Sequence, residues 1–257
     1  MYDDLIYQIN ACLFAVYNTL GNVWYEETYE KAVWLELQAQ GLKAERQKEF
    51  QVFYFDRQVG QYRIDLLVND LIIIELKAAP EILPLHKAQL ISYLKGYEKP
   101  LGLLANFGGS PLEYQIFPNK VSQLTVLEDS FDFEKYRNPD KERIRELLGI
   151  CNRILVKLGP GYFHQIYRRA LFHELRTAKT EVTVIKKAIA EYRQQVVGSR
   201  DVYFLQVGDL LISAVAVNEL TDELLAKFRN YITHLHCQRG LIINFRALHL
   251  DFRYYEI

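Results

Sequence analysis

One stretch of this chain occurs twice. Leu20-Gly21-Asn22-Val23-Trp24-Tyr25-Glu26-Glu27-Thr28-Tyr29 is echoed 138 residues later by Leu158-Gly159-Pro160-Gly161-Tyr162-Phe163-His164-Gln165-Ile166-Tyr167. The same offset carries Val59-Gly60 to Val197-Gly198, Tyr93 to Tyr231, and Gly102-Leu103-Leu104-Ala105-Asn106-Phe107 to Gly240-Leu241-Ile242-Ile243-Asn244-Phe245. Between these blocks a one-residue slip pairs Asp70-Leu71-Ile72-Ile73 with Asp209-Leu210-Leu211-Ile212. Solenoid repeats run roughly 20–45 residues. A copy three times that length buries a core of its own, so each copy reads as a domain. The domains expected are residues 1–119 and 142–257. Between them, 120–141 reads as a linker, because Asp129-Ser130, Asn138-Pro139 and many charges interrupt the apolar pattern.

Composition supports packed cores. Half of the 257 residues are hydrophobic, a quarter are charged, and only 13 Gly and 7 Pro are present, which excludes disordered and collagen-like chains. No run approaches the roughly 20 apolar residues of a membrane span. The start, Met1-Tyr2-Asp3-Asp4, is acidic where a signal peptide is basic, so a cytoplasmic location is expected. Cys12, Cys151 and Cys237 are odd in number and far apart, and read as small core residues rather than disulfides or thiolate ligands.

Each copy has the same order of elements. Leu5, Ile9, Cys12, Leu13 and Val16 fall at helical spacing within 4–19, and Tyr29, Ala32, Val33 and Leu37 do so within 26–40, with Gly41 as a stop. Residues 50–55, 62–68 and 71–76 read as a three-stranded antiparallel meander, 85–97 as a helix, and 101–106 and 112–117 as strands. The expected fold is α/β in the α+β sense, a mixed sheet flanked by helices in each copy.

The apolar strand Ile72-Ile73-Ile74-Glu75-Leu76-Lys77 buries a carboxylate that something must compensate. Glu75 and Lys77 share one face because strand side chains alternate. Asp65, on the preceding strand, joins them only if the hairpin has an odd loop or a bulge; a two-residue Asn69-Asp70 loop would set Asp65 against Ile74 instead. An odd loop or bulge is therefore expected. Two converging carboxylates suit a hard divalent cation, Mg²⁺ or Mn²⁺, with waters completing the octahedron. Beside a lysine, such a cation supports hydrolysis of phosphodiesters. On spacing alone, a buried Glu75–Lys77 ion pair serving structure is the alternative.

The order of these residues resembles the PD-(D/E)XK nuclease superfamily, and more closely its GxxExxY protein family. The matching residues are Glu26 and Tyr29, Asp65, Glu75 with Lys77, His86 with Gln89, and Gly102 through Phe107. The resemblance spans nearly all of residues 4–117. It implies that Asp65 and Glu75 bind metal, that Lys77 assists the attacking water, and that Glu26 and Gln89 complete or support the site from two helices. Val23 replaces the glycine of the family's first motif, and Ile64 stands where the superfamily name has proline. Apart from the resemblance, Glu26 reads as a carboxylate at a helix N-terminus, and His86 and Gln89 as a solvated helix face.

By the repeat alignment Asp65 falls on Phe204 or Tyr203, Glu75 on Ala214, Lys77 on Ala216, Glu26 on His164 and Gln89 on Lys227. Every position of chemistry has changed, so the second copy is expected to be degenerate. Charge separates the halves too. Residues 1–138 carry 13 Lys and Arg against 19 Asp and Glu, while the remainder carries 18 against 13. Arg169, His173 and Arg176 form a helix stripe, with Arg168, Lys179, Lys186 and Lys187 nearby. This basic set is a candidate for holding nucleic-acid phosphates, and otherwise a solvated surface. Tyrosines are candidates for stacking on bases, though most read as core. His234-Leu235-His236-Cys237 predicts no zinc site, since helical spacing points the two histidines apart. Kinase, hydrolase-elbow and dinucleotide motifs are missing from the sequence.

The reading is a Mg²⁺- or Mn²⁺-dependent nuclease with its site in the first domain, its second domain serving binding or docking to nucleic acid, DNA or RNA, with no membrane partner. One live site favours nicking, single-strand cleavage or end trimming unless two chains associate as a homo-oligomer. The rival is a non-catalytic nucleic-acid-binding or scaffolding protein.

Overall fold

The computed structural model describes residues 2–119, 140–246 and 249–257. Of the expected linker, only Asp140 and Lys141 lie among them, and they open a helix. The chain divides into two compact units, Met1–Val52 with Gly60–Val121 and Phe53–Val59 with Ser122–Ile257.

The first repeat runs α1 (Asp3–Leu20), α2 (Glu26–Ala39), β1 (Ala44–Tyr54), β2 (Arg57–Val68), β3 (Ile72–Lys77), α3 (Pro84–Gly96), β4 (Leu101–Asn106) and β5 (Glu113–Pro118). In α1 the helically spaced Ile9, Cys12, Leu13 and Val16 are all buried. In α2 Tyr29, Val33 and Leu37 are buried, and the helix ends in a Schellman turn. There Leu42 donates to the Leu37 carbonyl and Gly41 to that of Gln38, with Gly41 in the left-handed region at φ 77°.

The five strands form one sheet in sequence order, with β2–β3 and β4–β5 antiparallel and β3–β4 parallel. Every residue of β3 and β4 is buried, which is why both read as continuous apolar runs. Side-chain alternation divides β3 between two faces. Ile72, Ile74 and Leu76 pack with Leu66, Val68, Leu103 and Ala105 against α1 and α2. Ile73, Glu75 and Lys77 leave the opposite face, where α3 lies close enough that a Cβ on Gly102 would stand 2.8 Å from Leu90.

The second repeat copies this order: α4 (Asp140–Leu158), α5 (His164–Thr177), β6 (Thr183–Tyr192), β7 (Gln195–Val207), β8 (Leu210–Val215), α6 (Asp222–His234), β9 (Arg239–Asn244) and β10 (Asp251–Glu256). Its sheet has the matching order, with β8 and β9 parallel. Both repeats are thus mixed sheets flanked by helices. Among the described residues, no helix is long and apolar enough to cross a membrane.

Two repeated sequence motifs turn out to hold the fold. Tyr29 hydroxyl donates to Gly21 O at 2.9 Å, accepts from Trp24 N, and its ring stacks on Phe107 at 4.5 Å. Tyr167 does the same with Gly159 O, Tyr162 N and Phe245 at 2.7, 3.1 and 4.6 Å. Asn106 binds both backbone groups of Ala79, as Asn244 binds those of Val217. What both copies keep is a set of satisfied buried polar groups, not chemistry.

Candidate active site

The β2–β3 loop decides whether a site can form. It has three residues, Asn69, Asp70 and Leu71, giving Leu66↔Ile74, Leu67↔Ile73 and Val68↔Ile72. Continued by one residue, that register sets Asp65 opposite Glu75, as the odd-loop expectation requires. Asn69 and Asp70 take left-handed φ values of 51° and 58°, a conformation these short polar residues tolerate. Asn69 is further fixed by bonds of its amide and side chain to the Lys43 backbone at 2.8 and 3.0 Å.

On the face so defined, Lys77 Nζ donates to Glu75 Oε1 at 2.7 Å, Leu76 O at 2.8 Å and Glu26 Oε1 at 3.2 Å. Glu26 is the first residue of α2. Its carboxylate therefore serves the site as well as the helix terminus. Asp65 Oδ2 accepts from the Leu76 N–H at 2.8 Å. Glu75 is completely buried, and its Oε2 has no hydrogen-bond partner among the described residues. A buried carboxylate oxygen without a donor is costly unless a cation takes it.

The electrostatics follow from burial. Burial pushes Asp65 up to about 6, against the pull of the Leu76 N–H and of Lys77. Burial, reinforced by the Asp65 charge, raises Glu75 to about 8. Burial works against the charge on Lys77, but Glu75, Glu26 and Asp65 outweigh it and its pKa is raised, so it stays cationic. Near neutral pH the two carboxyls together hold on the order of one proton.

Gln89 reaches this group through a residue that sequence reasoning missed. Its Nε2 donates to Tyr93 hydroxyl at 2.7 Å. Burial first, then the charges of Glu75 and Asp65, raise the Tyr93 pKa, so that hydroxyl feels the field of the carboxylates. The signal was present, since Tyr93 and Tyr231 recur at the repeat offset, but recurrence alone carries no role. Glu30, also missed, is buried on α2 in an ion pair with Arg46 at 2.8 Å and adds to the field that raises Asp65. His86 has a local task. Its Nδ1 accepts from Leu83 N at 3.2 Å at the start of α3, and burial and Lys77 lower its pKa.

Among the described residues no group of three His, Cys, Asp or Glu side chains converges as a ready metal cage. The donor set nevertheless suits a hard cation. Two carboxylates at paired strand positions, one with an unsatisfied buried oxygen, offer the hard oxygens that such a cation prefers.

The second sheet corrects the repeat alignment by one residue. Pairing of β8 with β9 runs Leu210↔Arg239, as Ile72↔Leu101 does in the first repeat, so Glu75 corresponds to Ser213 and Lys77 to Val215, not to Ala214 and Ala216. The β7–β8 loop has only two residues, Gly208 and Asp209. An offsetting extra residue sits upstream, where Val202 and Tyr203 of β7 oppose Lys186 of β6 in a bulge. After the bulge Leu66 corresponds to Leu205, and Asp65 to Phe204. The slip belongs to β7 and not to the start of β8. Carboxylates and lysine are replaced by Phe204, Ser213 and Val215.

The basic residues of the second copy divide. Arg176, Lys179, Lys186 and Lys187 are exposed. Arg169 is exposed too, though its guanidinium donates to Val59 O of the same unit at 2.9 Å. Arg168 is half-buried, its guanidinium 4.6 Å above the Tyr203 ring.

A family model described as the PD-(D/E)XK nuclease superfamily matches residues 3–116 and, separately, 141–255. No curated protein matches the chain significantly. A solved structure described as "Crystal structure of SSO0001" aligns at 18% identity over 38% of this chain and 52% of that one, with a TM-score of 0.32. The chain spans about half the length of that structure.

Proposed function

This chain belongs to the PD-(D/E)XK nuclease superfamily, and from that membership we propose that it is a metal-dependent nuclease cutting nucleic-acid phosphodiester bonds with residues of the first domain, 1–119. The observation that carries the reading is the meeting of Asp65, Glu75 and Lys77 on one sheet face, with a buried Glu75 oxygen left unpartnered.

Asp65 and Glu75 would hold Mg²⁺ or Mn²⁺, which when bound supplies charge neutralisation at the phosphate and a more acidic water. Lys77 is held cationic by its carboxylate neighbours. It therefore acts as a hydrogen-bond donor that orients the water or steadies charge growing on the phosphate, not as a base. Glu26 accepts from Lys77 and fixes the direction of its Nζ. Gln89, bonded to Tyr93, offers its amide to the substrate from α3. The second domain, 142–257, holds the nucleic acid, with Arg169, Arg176, Lys179, Lys186 and Lys187 as the exposed phosphate contacts and Arg168 behind them. With one live site per chain the expected products are nicks or trimmed ends.

The test is cleavage of labelled single- and double-stranded DNA and RNA with Mg²⁺ or Mn²⁺. Lys77→Ala should slow cutting by about 10²-fold or more, the usual cost of losing a group that stabilises transition-state charge. If no substrate is cut by wild type while nucleic acid still binds, the scaffolding alternative replaces this reading.

Metal binding should also depend on pH with a definite sign. Both carboxyls are raised, so each must lose a proton before its oxygens bind a cation. Mn²⁺ affinity measured by calorimetry should fall about tenfold per pH unit below about 8, and more steeply below about 6. An affinity flat across that range would remove these carboxylates from the ligand set.

A further inference from the structure

The vacated site of the second domain is not filled in. A cavity of about 990 Å³ lies over β8 and against α6, lined by Phe204, Ser213, Phe228 and Tyr231 and bordered by His164, Arg200 and Lys227. Its volume is at the upper end of the roughly 300–1,000 Å³ of pockets that bury small ligands. Phe204, Ser213, His164 and Lys227 stand where the first domain has Asp65, Glu75, Glu26 and Gln89. The charge of the site has been inverted. Arg168 occupies the place of Glu30, and one of its guanidinium nitrogens is buried with no hydrogen-bond partner among the described residues. Among the described lining residues Asp201 is the one acidic side chain, while Lys227 is held 2.5 Å from the exposed Glu223, a pairing an incoming anion can exchange.

We propose that this cavity binds a nucleoside monophosphate unit, free or at the end of a single strand, with the base on the half-buried Tyr231, over the apolar floor that the buried Phe204 and Phe228 form, and the phosphate toward Lys227 and Arg200. An aromatic face accepts any base by stacking, the cationic Lys227 and Arg200 at the border take the phosphate, and His164, whose pKa burial and Arg168 lower, is a neutral hydrogen-bonding group beside them. No cation ligand remains at the carboxylate positions, so binding needs no metal. The proposal deepens the reading of the second domain as the holder of nucleic acid, and metal-free conditions separate its test from that of cleavage.

The experiment is calorimetric titration of the full chain, in EDTA, with thymidine 5′-monophosphate, thymidine, inorganic phosphate and a 5′-phosphorylated oligothymidine. The monophosphate should bind at least tenfold more tightly than thymidine or phosphate alone. Lys227→Glu, a change at an exposed helix position, should weaken it about tenfold or more, the usual worth of a charge-assisted hydrogen bond. Ser213→Trp should abolish binding by filling the cavity. Should that variant misfold by circular dichroism, Lys227→Glu decides. Glu75→Gln should leave binding unchanged. Binding of the oligonucleotide alone, still sensitive to Lys227→Glu, assigns the cavity to a strand end. Binding of neither ligand, indifference to Lys227→Glu, or loss on Glu75→Gln would overturn the proposal.

Discussion

Glu75→Gln is expected to lower metal-dependent cleavage by about 10²-fold or more and, at the same time, to stabilise the metal-free protein at high pH. The two effects share one cause. In the native protein the Glu75 carboxyl is raised to about 8 by burial and by Asp65, whereas in the unfolded chain it titrates near about 4.3. Folding without metal therefore takes up a proton between those values. Stability tied to this group is lost as pH rises from about 4 to 8, and the full penalty stands above that. Glutamine keeps the volume and removes the charge. Lys77 retains Glu26 as a partner at 3.2 Å, so the net gain at pH 9 should be about 1–3 kcal/mol by chemical denaturation. Added Mn²⁺ should raise the melting temperature of wild type by mass action and leave the variant's unchanged. A variant both less stable at pH 9 and fully responsive to Mn²⁺ would show that Glu75 serves as an ordinary ion-pair partner.

The second large effect is structural and should appear in both halves alike. Tyr29 and Tyr167 are fully buried, stacked on Phe107 and Phe245, and bonded to equivalent backbone groups. Tyr→Ala at either position should cost its own domain about 3–5 kcal/mol, the range for emptying a large aromatic site. Tyr→Phe, which frees one carbonyl and one N–H, should cost about 1–3 kcal/mol at Tyr167, whose partners are buried, and less at Tyr29, whose partners water can reach. Hydrogen exchange read separately over each half would check this. A cost confined to Tyr29 would mean that the motif is kept for chemistry rather than for the fold.

The sequence read well where a single period governed the residues. Ile9, Cys12, Leu13 and Val16 announce α1 by spacing alone, and the apolar runs of β3 and β4 announce buried central strands. The Asp65–Glu75 partnership was legible as a condition on loop parity, since one residue more or less moves a side chain to the other face. It took the three-residue loop to satisfy it. The mapping of Asp65 onto Phe204 held as one of two alternatives, while Glu75 and Lys77 were mapped one residue too far, because the slip that opens at the Val202-Tyr203 bulge is closed again by the shorter Gly208-Asp209 loop. A string comparison shows that a slip occurs but not where it ends. Tyr93, seen only as a recurring position, and Glu30 were given no role for another reason. A tyrosine and a glutamate on helices have too many ordinary uses for spacing to single them out, and only the fold couples them electrostatically to Asp65.

Those two cancelling length changes say something about history. The bulge and the short loop keep Phe204 opposite Ser213 as Asp65 is kept opposite Glu75, so the second sheet still aims the right positions at one another. The scaffold has outlived the reagents. Of the side chains, Phe204, Ser213 and Val215 stand at the strand positions, and His164 and Lys227 in the places of Glu26 and Gln89. The second half thus keeps the strand frame of the first without its reagents.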